Sequence, residues 1–182
     1  MITMRLRPLT IAGAYELIAE AREDERGFLA RTLDLEILRS HELLDRFDQE
    51  TFSYNRRRGT LRGLHYQAAP AWQTKIVTCV AGRAFDVALD LRPDSPTFGR
   101  WESLELDARR CNSIYIPAGC AHGFQTFEPE TTVFYRTAPA YREELARGID
   151  PFDADVAVRW PIAEATLSER DRELPAFHDF VP

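Results

Sequence analysis

Cysteine is scarce in this 182-residue chain, and what there is does not pair. Cys79, Cys111 and Cys120 form an odd set with no CxxC spacing, which argues against a disulfide framework and a tetrathiolate zinc site. A reducing, cytoplasmic location is therefore expected. Long apolar runs are missing too: none is long enough to cross a bilayer, and Met1 to Leu9 has no apolar signal-peptide core, so no membrane partner is expected. Positive charge is in deficit, with 23 Lys and Arg against 29 Asp and Glu and a net charge of -6. Non-specific nucleic-acid binding, which relies on a basic surface, is disfavoured. Any anionic ligand must be held by a local cluster.

Histidine is rare, at His41, His65, His122 and His178. A metal-binding barrel usually gathers several imidazoles with a carboxylate. Here the residue two after His65 is Gln67, a poor ligand, and His122 stands alone, so no metal is expected. There is no Gly-x-Ser-x-Gly turn to present a nucleophile and no glycine-rich phosphate loop. Phosphate recognition would have to come from arginines.

What is present is a run of short strands. The length suits one domain spanning residues 1–182, and a hydrophobic content of 45% is that of an ordinary globular protein. Tyr15 to Leu29 reads as strand, charged turn and strand. Ser40 to Phe47 reads as one or two helical turns with Ser40 as N-cap. Strand patterns follow at Thr51–Tyr54, Leu61–Gln67, Gln73–Val80, Phe85–Leu91, Trp101–Leu106, Ser113–Ile116, Gly123–Phe127 and Thr131–Arg136, with turn residues between them. The cleanest alternation is Phe85, Val87, Leu89 and Leu91, which should face the core. Tyr141 to Gly148 suggests a short helix, and Ser168 caps a helical turn that contains Asp171. Many short strands at regular spacing predict a mainly β protein, a β-sandwich or jelly roll with a few short helices.

Leu61-Arg62-Gly63-Leu64-His65-Tyr66-Gln67 is the stretch on which chemistry would centre. Leu61 and Leu64 cannot share a strict period of two across Gly63, so a kinked strand is expected there, beside a histidine. Lys75 and Tyr135 lie on other strand segments and Asp171 on a late turn. Each has an ordinary structural reading as a strand-edge or cap residue, and spacing alone does not unite them.

In order along the chain, Leu61–Gln67, Lys75-Ile76-Val77, Gly82–Val87, Asp90-Leu91-Arg92, Ser95–Trp101, Ile116–Phe124, Trp160-Pro161 and Leu167–Asp171 resemble the dTDP-4-dehydrorhamnose 3,5-epimerase family. The resemblance implies a cupin-type jelly roll, usually a homodimer. It implies action without metal or organic cofactor on a nucleotide-diphosphate sugar, a 4-keto-6-deoxyhexose. It assigns His65 as general base, Asp171 as its orienting partner, Tyr135 as general acid and Lys75 to the keto oxygen. Arg26, Arg62 and Arg170 match diphosphate-holding positions, with Arg170 where a lysine is usual. His122, Tyr141, Phe28 and Gln49 match other substrate-contacting positions. Nucleoside-contacting positions differ: Arg31 stands where the family commonly has glutamate, Gln49-Glu50-Thr51 where it has Gln-Asp-Asn, and Ala146 or Arg147 where it has another glutamate. Arginine for carboxylate exchanges acceptors for donors. A non-dTDP nucleotide sugar and a 3-epimerase that inverts one carbon are therefore alternatives. A non-catalytic sugar-nucleotide binding protein and a metal-dependent cupin oxygenase are alternatives of other classes.

Overall fold

The computed structural model describes residues 3–181. Strands are numbered in chain order. One sheet runs β1 (Met4–Pro8), β2 (Tyr15–Ala19), β10 (Asn112–Ile116), β7 (Thr74–Ala81), β12 (Thr131–Ala138) and β5 (Gln49–Asn55). The other runs β13 (Ala146–Gly148), β6 (Leu61–Gln67), β11 (Cys120–Thr126), β8 (Arg83–Asp90) and β9 (Trp101–Asp107). Pairing within both sheets is antiparallel. The jelly roll expected from the strand spacing is what forms.

Three apolar layers hold it: one between the sheets, one outside the second sheet, and one in which Leu38 packs with Leu17, Ile76 and Tyr115 of the first sheet. Between the sheets Val77, Cys79 and Val133 meet Ala84, Ala88, Leu106 and Phe124. Outside the second sheet, the alternating face of β8 packs under the C-terminal segment: Val87, Leu89 and Leu91 are fully buried against Val156, Val158, Trp160, Phe177 and Phe180. The face expected to be core is core. The opposite face of β8 is buried as well, and its smaller residues Ala84 and Ala88 leave room inside the sandwich. At about 1.5–3 kcal/mol for each large aliphatic side chain removed from water, burial on both faces suits a strand flanked by β11 and β9 rather than an edge.

Two helical expectations need correction. The first helix is α1 (Leu35–Ser40), and its N-cap is Asp34, whose side chain accepts from the Glu36 N–H; Ser40 is its last residue, not its cap. Leu38 faces the sheet, fully buried, and the left-handed Glu42 follows the helix end. Ser40 before Leu43-Leu44 imitated a cap, but Asp34 before Leu35, Ile37 and Leu38 supplies the real one. The second correction concerns Tyr141 to Gly148, which holds a single 3-10 turn at Glu143–Leu145 and then β13. Pairing with β6 overrides local propensity there. β1 was not anticipated, and the charged cluster after Glu20 folds partly into strand, with β3 (Arg22–Asp24) paired to β4 (Gly27–Leu29).

The kink in β6 is present. His65 pairs with His122 and Arg62 with Phe124, so three steps on β6 oppose two on β11. Gly63 has φ +137°, and a Cβ there would lie 2.5 Å from the Gly123 Cα. Any side chain would part the two strands that carry His65 and His122.

Cys79 and Cys120 are small buried packing groups, and Cys111 is half-buried. Burial pushes the Cys79 and Cys120 thiols up to about 12, and burial raises Cys111 as well. Thiolates are the reactive form. Ellman titration of the native protein near pH 8 should therefore find Cys79 and Cys120 silent, with all three thiols reacting after unfolding. Rapid reaction of all three in the native state would contradict this placement.

Candidate active site

A cleft of about 820 Å³ opens between the sheets. The second sheet contributes His65, Tyr66 and Gln67 from β6, His122 from β11 and Arg147 from β13. From the first sheet come Gln49 and Thr51 of β5, Lys75 of β7 and Tyr135 of β12. Helix α2 (Glu169–Arg172) adds Arg170.

His65 and Asp171, 106 residues apart in sequence, form a close pair: Nε2 lies 2.6 Å from Asp171 Oδ1. Asp171 is 4% exposed. The Ser168 hydroxyl that caps α2 accepts from the Asp171 N–H at 3.1 Å and so fixes the carboxylate's position. Burial pushes the Asp171 carboxyl up, but the hydrogen bond and charge of His65, the Gly63 N–H and Arg170 outweigh it, and the group sits below its ordinary value. With Nε2–H donating to this carboxylate, Nδ1 is the ring's basic nitrogen.

Across the sandwich stand Lys75 and Tyr135. The Lys75 ammonium is 3.4 Å from the His65 carbonyl oxygen, to which it donates. Burial pushes it down to about 8, while Asp86 opposes the change. Burial raises the Tyr135 phenol, against the nearby Arg62 charge. It therefore keeps its proton at neutral pH.

Asp86 on β8 is the residue that the sequence reading missed. It is fully buried; Oδ2 lies 2.8 Å from His122 Nε2, and Oδ1 has no hydrogen-bond partner. Burial pushes its carboxyl up, and the charges of His122 and Lys75 pull the other way. The available signal was an acid between two alanines, Ala84 and Ala88, on the buried inward side of β8. Cations dominate the cleft lining, with Arg62, Lys75, Arg147 and Arg170 against the single carboxylate of Glu50, which pairs with Arg136 at 2.8 Å. This is how a chain of net charge -6 presents an anion site.

The structure unites most of the expected residues and separates three. His65, Asp171, Lys75, Tyr135, Gln49, Thr51, Arg62, His122, Tyr141, Arg147 and Arg170 all lie in the cleft or touch its lining. Gln49 Oε1 accepts from the Tyr141 N–H at 2.7 Å. Arg26 and Phe28 sit instead on the β3–β4 hairpin, away from the cleft lining, with the Arg26 side chain 84% exposed and ion-paired to Asp24. Arg31 pairs with Asp34 at 2.8 Å, also away from the cleft lining. Gln67 is a brace: its amide donates to the carbonyls of Ala71 and Ala140, and its oxygen accepts from the Arg142 N–H. Among the described residues no three His, Cys, Asp or Glu side chains gather as a metal-binding set.

If the Lys75 ammonium stabilises a developing oxyanion, the pH profile has a definite sign. kcat should fall as pH rises through about 8. Unfolding would not cause that fall. An unfolded lysine keeps its proton up to about 10.5, so between these values the unfolded chain binds more protons and this group adds stability as pH rises. A kcat that stays flat from pH 7 to 9.5, with the fold intact, would contradict the assignment.

A jelly roll with a sheet histidine paired to a helix aspartate on one side, and a buried lysine and protonated tyrosine on the other sheet, has the equipment of an isomerase that moves protons at carbon. The chain belongs to the dTDP-4-dehydrorhamnose 3,5-epimerase family, whose family model matches residues 8–179. It is 38% identical over 182 residues to a dTDP-4-dehydrorhamnose 3,5-epimerase of Mycobacterium tuberculosis, covering 97% of this chain and 89% of that one. It is also 38% identical over 173 residues to a dTDP-4-dehydrorhamnose 3-epimerase of Streptomyces niveus, covering 93% and 82%. Among solved structures, the Legionella pneumophila 3,5-epimerase in complex with dTDP-4-keto-L-rhamnose superposes with a TM-score of 0.92 at 31% identity, covering 98% of this chain and 95% of that one.

Proposed function

We propose that the cleft epimerises a dTDP-linked 4-keto-6-deoxyhexose at C3 and C5. The observation that carries this reading is the convergence of His65–Asp171 from one side of the sandwich with Lys75 and Tyr135 from the other. His65 Nδ1 takes the proton from the carbon beside the ketone, and the electron pair moves into an enolate. The Lys75 ammonium holds the charge that develops on the oxygen. Asp171 stabilises the imidazolium. Tyr135 returns a proton to the opposite face of the carbon, which inverts it. Arg62 and Arg170 supply guanidinium forks for the diphosphate.

Incubation with dTDP-4-keto-6-deoxyglucose in D2O tests this directly. Deuterium should enter at both C3 and C5. Label at one carbon alone would favour the 3-epimerase reading, which the Streptomyces niveus relative's name also brings into view. No label at either carbon, with dTDP, GDP and UDP sugars all tried, would leave a binding protein.

The reading extends to the assembly and its setting. The whole chain acts as one jelly-roll unit in the cytoplasm, where three unpaired thiols are stable. It works as a homodimer in which the β3–β4 hairpin reaches the neighbouring cleft. Support comes from the hairpin itself: Phe28 and Leu29 are 50% and 64% exposed beside Arg26, an apolar and cationic pair of groups that the hairpin's own chain leaves uncovered.

A further inference from the structure

A second cavity of about 300 Å³ adjoins the cleft, and Arg62 lines both. Its walls come from the end of β5 and the turn after it, namely Tyr54, Asn55, Arg56 and Arg57, together with Thr60 and Thr166, which are bridged through their backbones. No carboxylate stands in that wall. Among the described residues, none of Arg56, Arg57 and Arg62 makes an ion pair. Three arginines without an acidic partner therefore line one small cavity; their like charges disfavour one another, and a bound anion would relieve that repulsion.

Arg62 is held in a fixed attitude. Its Nε donates to Asn55 Oδ1 at 2.9 Å. Asn55, 1% exposed, is pinned in turn by donating to the Ser53 and Thr131 carbonyls at 2.8 and 3.1 Å. This leaves both terminal nitrogens of Arg62 free for acceptors. The cleft has further cations of its own in Lys75, Arg147 and Arg170, so the second cavity is not needed to neutralise a diphosphate there.

We propose that the second cavity is a separate site for a phosphate oxyanion, held by Arg56, Arg57 and the outer edge of Arg62, with hydroxyls from Tyr54 and Thr166 to accept or donate around it. A tetrahedral oxyanion offers the several acceptor oxygens that converging guanidinium forks require. The site is coupled to the cleft. Two anions that share the donors of one guanidinium repel each other, so phosphate in the second cavity weakens the grip on a nucleotide diphosphate, and the nucleotide weakens phosphate by the same factor. Only this coupling rests on the cleft being a sugar-nucleotide site.

Calorimetric titration of the full-length protein with inorganic phosphate tests the proposal, run with and without saturating dTDP and against potassium chloride at matched ionic strength. One phosphate per chain should bind with dTDP present. It should raise the apparent Kd for dTDP to a plateau, about 5-fold or more at typical coupling strengths. Arg57→Gln should abolish phosphate binding while leaving dTDP binding in phosphate-free buffer intact. Arg56→Gln takes its place if the first variant does not fold. Complete displacement of phosphate by dTDP, undiminished phosphate binding in the folded variant, or an equal response to chloride would each overturn the proposal. If dTDP itself does not bind the wild type, the nucleotide reading fails, and phosphate titration of the free protein against Arg57→Gln still decides the second site.

Discussion

His65→Asn should lower kcat by about 10²–10⁴-fold, the range that a positioned proton-transfer group contributes, and it should do so for exchange at both carbons. Asparagine is close in size and can still donate to Asp171, so the turn that carries α2 should keep its place. It has no basic nitrogen to accept a proton. The KM-related binding of dTDP should change little, because the diphosphate is assigned to Arg62 and Arg170, outside the His65–Asp171 pair. Exchange rates in D2O and calorimetric dTDP binding, measured on the same preparation, separate the two effects. Retention of even a tenth of wild-type exchange at both C3 and C5 would remove His65 from the role of base.

Lys75→Met should do two kinds of damage. Loss of an oxyanion-stabilising donor costs about 10²–10³-fold in kcat. The same change removes the Lys75 charge that opposes the burial of the Asp86 carboxyl and leaves His122 as its hydrogen-bond partner, so the fold should lose stability. A second substitution separates these effects. Asp86→Asn in the Lys75→Met background removes the stranded charge, so denaturant titration should recover most of the lost stability while the rate stays low. Recovery of the rate along with the stability would mean that Lys75 acts only as a structural counter-charge.

How far the sequence went is clearest on β8 and at Asp86, which lies on it. The alternation Phe85, Val87, Leu89, Leu91 was legible because one face of a strand packs against an apolar cover, and period two survives in the residue order. Asp86 was not legible as a working group. Its meaning comes from His122 and Lys75, brought within electrostatic reach by two other strands, and nothing local marks that. The jelly roll followed from strand spacing, while α1 was placed several residues late because two cap-like residues, Asp34 and Ser40, compete within one short segment. β13 has three residues and no periodicity of its own. The β6 kink could be read, since a glycine between two leucines breaks the pattern, yet what the kink serves, the close passage of Gly63 past Gly123, needed the partner strand. His65 and Asp171 lie 106 residues apart, so only the resemblance joined them in advance.

The β3–β4 hairpin has a genetic consequence. If Arg26 and Phe28 serve a neighbour's cleft, the working unit is shared between two copies, and two defects need not be fatal together. Mixing His65→Asn chains with Arg26→Ala chains, each nearly inactive alone, lets pairs form in which one cleft has both an intact histidine and an intact hairpin. With random exchange of subunits, about a quarter of all clefts regain full equipment. Recessive lesions of these two kinds would then complement when expressed from separate copies of the gene.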